Sequence, residues 1–156
     1  MTSRGEDGYQ INDIAVVSPT RLLVTDHTNR TLRLVYSQNG SVVSQVSLPG
    51  LPFGVCLTGD GRAAVNLPNE TRIQFVRLDG DTLSLDKSIT VKGFVLGIVS
   101  SNNHLVLSYL DPGRMERITM EGRITHGLNN QTAGRELFKE PYFMTTSHDG
   151  HIYNYI

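Results

Sequence analysis

Arg30, Arg72 and Arg114 stand 42 residues apart along a chain of 156 residues. A guanidinium presents five donors in a rigid planar fork, a shape suited to carboxylates, phosphates and backbone carbonyls. A second column, Arg21, Arg62, His104 and His151, repeats at a similar interval. Both columns are candidate binding groups. Either could follow an RNA backbone, because phosphate contacts need only well-placed cations. Asp60, Asp149, Glu70 and Asp111 lie close by in sequence, so a solvated, neutralised rim is the plainer expectation. Asp13 stands in register with Gly54, Gly97 and Phe143, and it alone of the four could face a ligand. Glycines at such positions let neighbouring strands crowd together.

Other reactive residues form no legible centre. Ser, His and Asp are all present, but without a Gly-x-Ser-x-Gly turn to aim a nucleophile. No catalytic residue is therefore assigned, and the chain is expected to have no enzymatic activity and no cofactor. Cys56, the one cysteine, lies in the apolar Gly54-Val-Cys-Leu57 and reads as a small buried hydrophobe. Five histidines invite a metal, yet His104 and His151 fall at equivalent tips of adjacent units, His27 on a loop at the opposite face and His126 on an outer strand of the expected fold, so no three converge. His148-Asp-Gly-His151 is the one histidine pair close in sequence, and a hairpin tip of this kind is usually solvated. No metal site is expected.

These columns need a repeating scaffold to hold them in phase. Gly40, Gly80 and Gly122 each precede an outer strand, and the tip between the first two strands of each unit falls near Pro19, Gly61, Asn103 and Gly150. Four short strands recurring about every forty-two residues are the pattern of a β-propeller blade. The expected fold is all-β, a partial propeller of about three and a half four-stranded antiparallel blades. Residues 1–10 read as a polar tail. Blades are expected at about 11–50, 51–93, 94–141 and, incomplete, 142–156, with the polar stretch Gly127-Leu-Asn-Asn-Gln-Thr-Ala-Gly134 as the one insertion. The inner run Ile14-Ala-Val-Val17 suits a strand buried on both faces. The third strands, such as Thr31-Leu-Arg-Leu-Val-Tyr36, alternate as half-buried strands do. Three and a half blades leave apolar faces and strand edges bare. The chain is thus expected to be part of a longer propeller, with self-association through open blade edges as the alternative.

Composition narrows the partners. Formal net charge is -1, with no segment carrying a basic surplus. No apolar run is long enough to span a bilayer, and Met1-Thr-Ser-Arg-Gly-Glu-Asp-Gly8 lacks a signal segment, so no membrane is expected and a cytoplasmic location is. Asn29-Arg-Thr31, Asn39-Gly-Ser41, Asn69-Glu-Thr71 and Asn130-Gln-Thr132 match the glycosylation sequon. All four fall in expected loops, where these residue types recur for turn reasons.

The joint Leu23-Val-Thr-Asp26-His-Thr-Asn29-Arg30-Thr-Leu32 resembles the NHL repeat, with an apolar strand, Asp, a short loop with Asn, and Arg before the next strand. Asn66 and Tyr109 are read as replacing that Asp in the second and third units. Residues 11–156 resemble the C-terminal NHL-type propeller of tripartite-motif-like proteins. The resemblance implies a protein-interaction platform that recognises the substrate of a ubiquitin ligase. The ligase's zinc modules would lie elsewhere, since one cysteine cannot build them. RNA recognition is the second implied role, and a propeller enzyme of lactonase or amidating-lyase type a third.

Overall fold

The structure is a computed structural model that describes residues 8–129, 143–147 and 149–155. Three four-stranded antiparallel sheets follow one another, each in simple meander order. The first holds β1 (Ile11–Ser18), β2 (Arg21–Asp26), β3 (Thr31–Tyr36) and β4 (Val42–Ser47). The second holds β5 (Val55–Leu57), β6 (Arg62–Leu67), β7 (Arg72–Asp79) and β8 (Thr82–Thr90). The third holds β9 (Val95–Ser101), β10 (His104–Tyr109), β11 (Arg114–Thr119) and β12 (Ile124–Asn129). A hairpin of β13 (Phe143–Thr146) and β14 (Ile152–Tyr155) comes last. The inner strands stand side by side, β1 against β5, β5 against β9 and β9 against β13. The fold is a partial β-propeller.

The turns explain why these segments pair as they do. Gly40, Gly80 and Gly122 adopt φ of 69°, 60° and 93°, the left-handed region that a tight hairpin needs and side chains resist. Each sheet also carries a bulge between its third and fourth strands, at Leu34/Val35, Gln74/Val76 and Arg117/Ile118. Val35, Val76 and Ile118 are equivalent by register, facing Leu22, Ala63 and Leu105. A bulge at one fixed place strengthens the local twist of every sheet in the same way.

Stacked sheets bury their apolar faces on one another. Leu23, Leu32 and Leu34 of sheet one close on Val55, Ala63, Val65 and Val76 of sheet two. Ala64, Ile73 and Phe75 on the other side of sheet two close on Val95, Ile98, Leu105, Leu107 and Ile118 of sheet three. Each sheet therefore has a leading face, toward the preceding sheet, and a trailing face, toward the next.

Two expectations need correction. Ile14 and Val16 are 53% and 65% exposed, so β1 is not buried on both faces. Alternation points them to the leading face of sheet one, where no described sheet precedes. The second concerns β12, which continues through Gly127-Leu-Asn129, a stretch expected to be an insertion. The rest of that expected insertion, the lead into the fourth unit, Asn130 and His148 lie outside the described residues.

Candidate functional site

The seven repeating cationic or titratable side chains divide by what holds them. Arg72 and Arg114 open β7 and β11, opposite Leu67 and Tyr109. Arg30 precedes β3 by one residue and takes φ 53°, as Thr71 does at 49° before β7. Arg30 is thus the counterpart of Thr71, on the same side of the molecule as Arg72. Both Arg30 and Arg72 are exposed, and among the described residues neither side chain has a hydrogen-bond or ion-pair partner.

Arg114 is different. Its guanidinium lies 3.7 Å over the Tyr109 ring, donates from Nη2 to the Lys92 carbonyl at 2.6 Å and from Nε to Glu116 at 3.1 Å. A Cβ at Gly93 (φ 150°) would sit 2.9 Å from the Tyr109 ring, so glycine keeps this stack open. Burial pushes the Tyr109 phenol above its ordinary pKa, with the Glu116 carboxylate adding to the effect. Arg114 ties the β8–β9 connection to sheet three and is not a free contact group.

All four members of the tip column are engaged. Arg21 pairs with the Asp81 carboxylate and donates to the Gly80 carbonyl at 3.2 Å, linking sheet one to the β7–β8 turn of sheet two. Arg62 bonds Asp60 at 2.6 Å and Asp86 at 3.1 Å while lying over Phe75. Hydrogen bonding from Arg62 holds the Asp60 carboxyl down at about 2. His104 Nδ1 lies 2.8 Å from the Asn102 carbonyl, the geometry of a donated hydrogen bond. His151 Nδ1 lies 2.9 Å from the Asp149 carboxylate. Arg21, Arg62 and His151 thus lie against carboxylates, those of Asp81, of Asp60 and Asp86, and of Asp149.

Asp13 faces inward but is occupied. Its Oδ1 accepts from the Ile14 amide at 2.9 Å and its Oδ2 from the Val55 amide of sheet two at 3.0 Å. Burial nevertheless raises its pKa, the two backbone donors opposing that rise. Asp13, Val55, Cys56, Ile98 and Met144 contribute to the wall of a groove of 910 Å³ between the inner strands. Burial pushes the Cys56 thiol up to about 12, which keeps it protonated and unreactive at neutral pH. Among the described residues no three His, Cys, Asp or Glu side chains gather to hold a metal.

One repeating feature escaped the sequence reading. The penultimate residue of each second strand, Thr25, Asn66 or Ser108, lies across from Asp13, Gly54 or Gly97. Each accepts a hydrogen bond from the opposing inner-strand amide: Asp13 to Thr25 at 3.0 Å, Gly54 to Asn66 at 2.5 Å, Gly97 to Ser108 at 3.0 Å. The first two also donate to the next sheet, Thr25 to the Phe53 carbonyl at 3.0 Å and Asn66 to the Val95 carbonyl at 2.6 Å. This register corrects the reading of Asn66 as the counterpart of Asp26. Asp26 matches Leu67 and Tyr109, and it alone keeps the buried carboxylate, bonded to Asn29 at 2.8 Å and paired with Arg33 at 3.2 Å. The legible signal was a small hydrogen-bonding residue at intervals of 41 and 42.

No family model matches the chain, and no curated protein matches it. Solved structures do. Hydrazine synthase of Kuenenia stuttgartiensis is 16% identical, covering 96% of this chain and 42% of its own, with a TM-score of 0.72. Virginiamycin B lyase of Staphylococcus aureus, in an inactive variant with quinupristin, is 17% identical over 94% of this chain and 48% of its own, with a TM-score of 0.68. The β-propeller domain of Cps50 (Swd1) from Myceliophteria thermophila is 14% identical over 92% and 48%, with a TM-score of 0.70. The chain spans less than half the length of these structures. At such identity the likeness establishes the propeller fold alone. It also overturns the expectation of a chain without enzymatic activity, since solved structures of this fold include a synthase and a lyase. No helix among the described residues is long and apolar enough to cross a membrane.

Proposed function

We propose that this chain is part of a β-propeller that recognises an acidic segment of a protein partner through the side displaying Arg30 and Arg72. The observation carrying this reading is the contrast within the seven repeating groups. Five are held by carboxylates or carbonyls of the chain itself, whereas Arg30 and Arg72 are exposed and without partners among the described residues. An unpaired guanidinium on a rigid scaffold loses little freedom when it meets a carboxylate, and the planar fork favours two-point contact. Sheet stacking holds the two loops at a fixed spacing, as a recognition surface requires. On the resemblance to NHL-type propellers, the partner would be a substrate presented to a tripartite-motif-like ubiquitin ligase.

A fluorescent Glu-rich peptide tests this directly. Changing Arg30 and Arg72 together to Ala should weaken its binding at least about tenfold, roughly 1.4 kcal/mol, with the melting temperature unchanged. Arg114→Ala should instead lower thermal stability. Equal peptide affinity for the wild-type chain and the double variant defeats the proposal. Tight binding of poly(U) that falls steeply with salt, and is lost in the same double variant, would move the assignment to RNA.

A further inference from the structure

Asp13 stands where a groove and a smaller cleft meet. The groove of 910 Å³ runs past the inner strands β1, β5, β9 and β13, and the cleft of 30 Å³ opens between Asn12, Phe53, Gly54, Leu96 and Met144. Asp13, Ile98 and Met144 belong to the walls of both. Val55, Leu57, Val99 and Met144 give the groove apolar walls, and Ser100, Thr145 and Thr146 add hydroxyls. Among the described residues the Asp13 carboxylate is the only ionic group in either wall, and no Lys, Arg or His lines them. Its two oxygens each accept one backbone amide, and a carboxylate oxygen has a second lone pair for another donor. A Cβ at Gly54 would sit 3.4 Å from Asp13 Oδ2, so glycine leaves that oxygen reachable from the cleft. Burial raises the pKa of Asp13 although two amides oppose the rise, as expected of a charge that the chain itself does not balance.

We infer that this is a binding site for a small organic cation, a primary ammonium on an apolar body, with the ammonium at Asp13 and the body along Val55, Ile98 and Met144. A cleft of 30 Å³ has room for one water-sized head group. An ammonium is such a head, and it brings three donors and the single positive charge that one carboxylate calls for. A calcium ion needs about six to eight oxygen ligands, which one carboxylate among apolar walls does not provide. Those walls are instead the environment in which a hydrocarbon body leaves water, with the carboxylate fixing its orientation. The site takes a cation where Arg30 and Arg72 take an anion, so it stands or falls separately from the reading above.

Dansylcadaverine, an apolar fluorophore bearing a pentylammonium, is the probe, and its N-acetyl derivative is the same body without the charge. Titration of the full chain should give saturable fluorescence enhancement with the amine, and binding at least about tenfold weaker with the acetylated form. Asp13→Asn should reduce the affinity of the amine to that of the acetylated probe. Because Asp13 also holds the Val55 amide, a second variant leaves it untouched. Thr145→Lys puts a cation on the groove wall at an exposed position. It should weaken the amine by about threefold or more and spare the acetylated probe. If Asp13→Asn does not fold, the Thr145→Lys comparison decides. Equal affinity of the two probes for the wild-type chain overturns the inference. So does an amine that binds a folded variant as tightly as the wild type, or one that shows no saturable binding up to about 1 mM.

Discussion

Asn66 shows how much one side chain can carry in a fold built of repeats. It is fully buried, takes the Gly54 amide on its oxygen and gives its amide hydrogens to the Val95 carbonyl of the next sheet. Neither backbone group has water to turn to, and an unpaired buried polar group costs more than the bond itself contributes. Asn66→Ala should therefore destabilise the chain by about 2–4 kcal/mol in urea titration. Asn66→Asp keeps the acceptor for Gly54 but turns a carboxylate oxygen on the Val95 carbonyl. It should be worse than Ala at neutral pH and recover as acid protonates the new carboxyl. A loss below about 0.5 kcal/mol for Asn66→Ala would mean that the inner strands are held by packing alone. This rivet is legible only in its spacing, because Thr25, Asn66 and Ser108 are three different residue types. They share only the capacity to accept a hydrogen bond, which no identity-based repeat reveals. Arg114 misled for the opposite reason. Its spacing from Arg72 is a true repeat, but the Tyr109 ring that claims it has no counterpart at Leu67.

The hairpin tips were the most readable elements, because their chemistry is local. Gly40, Gly80 and Gly122 mark the outer turns by a backbone conformation that depends on few neighbours. The inner tip Thr58-Gly-Asp60-Gly-Arg62 is equally self-contained: Thr58 and Arg62 both bond the Asp60 carboxylate while Gly61 turns at φ 77°. That local pairing sets a pH dependence. The folded value of Asp60, about 2, lies below its ordinary 3.8, so the folded chain releases the proton more readily than the unfolded one. The stabilisation is complete above the ordinary carboxylate value and is lost as pH falls from about 4 toward 2. Asp60 is 42% exposed, so solvent screening limits the effect to at most about 1 kcal/mol. Asp60→Asn should narrow the gap in denaturation midpoint between pH 5 and pH 2.5. A variant whose midpoint falls as steeply as the wild type would take this tip out of the acid response.

At the scale of the whole molecule, the meander order forces stability to accumulate between sheets and not within them. Each sheet is one layer thick, so an apolar side chain can be buried only by the neighbouring sheet. Two separate cores result. Leu34 belongs to the one between sheets one and two, and Leu107 to the one between sheets two and three. Both are fully buried, and sheet two stands between them. The exposure of Ile14 and Val16 obeys the same rule, for no described sheet packs against that edge of the leading face of sheet one. The alternation of β1 showed which residues share a face; it could not show that Ile14 and Val16 would be exposed there. Leu34→Ala and Leu107→Ala should each cost about 2–5 kcal/mol by leaving a cavity. Because the two cavities share no lining residues, the double variant should lose the sum to within about 0.5 kcal/mol. Urea titration of the four chains in this cycle measures the difference. A coupling well beyond that limit would mean that sheet two transmits strain from one core to the other, and that the blades do not act as neighbours linked only through their shared faces.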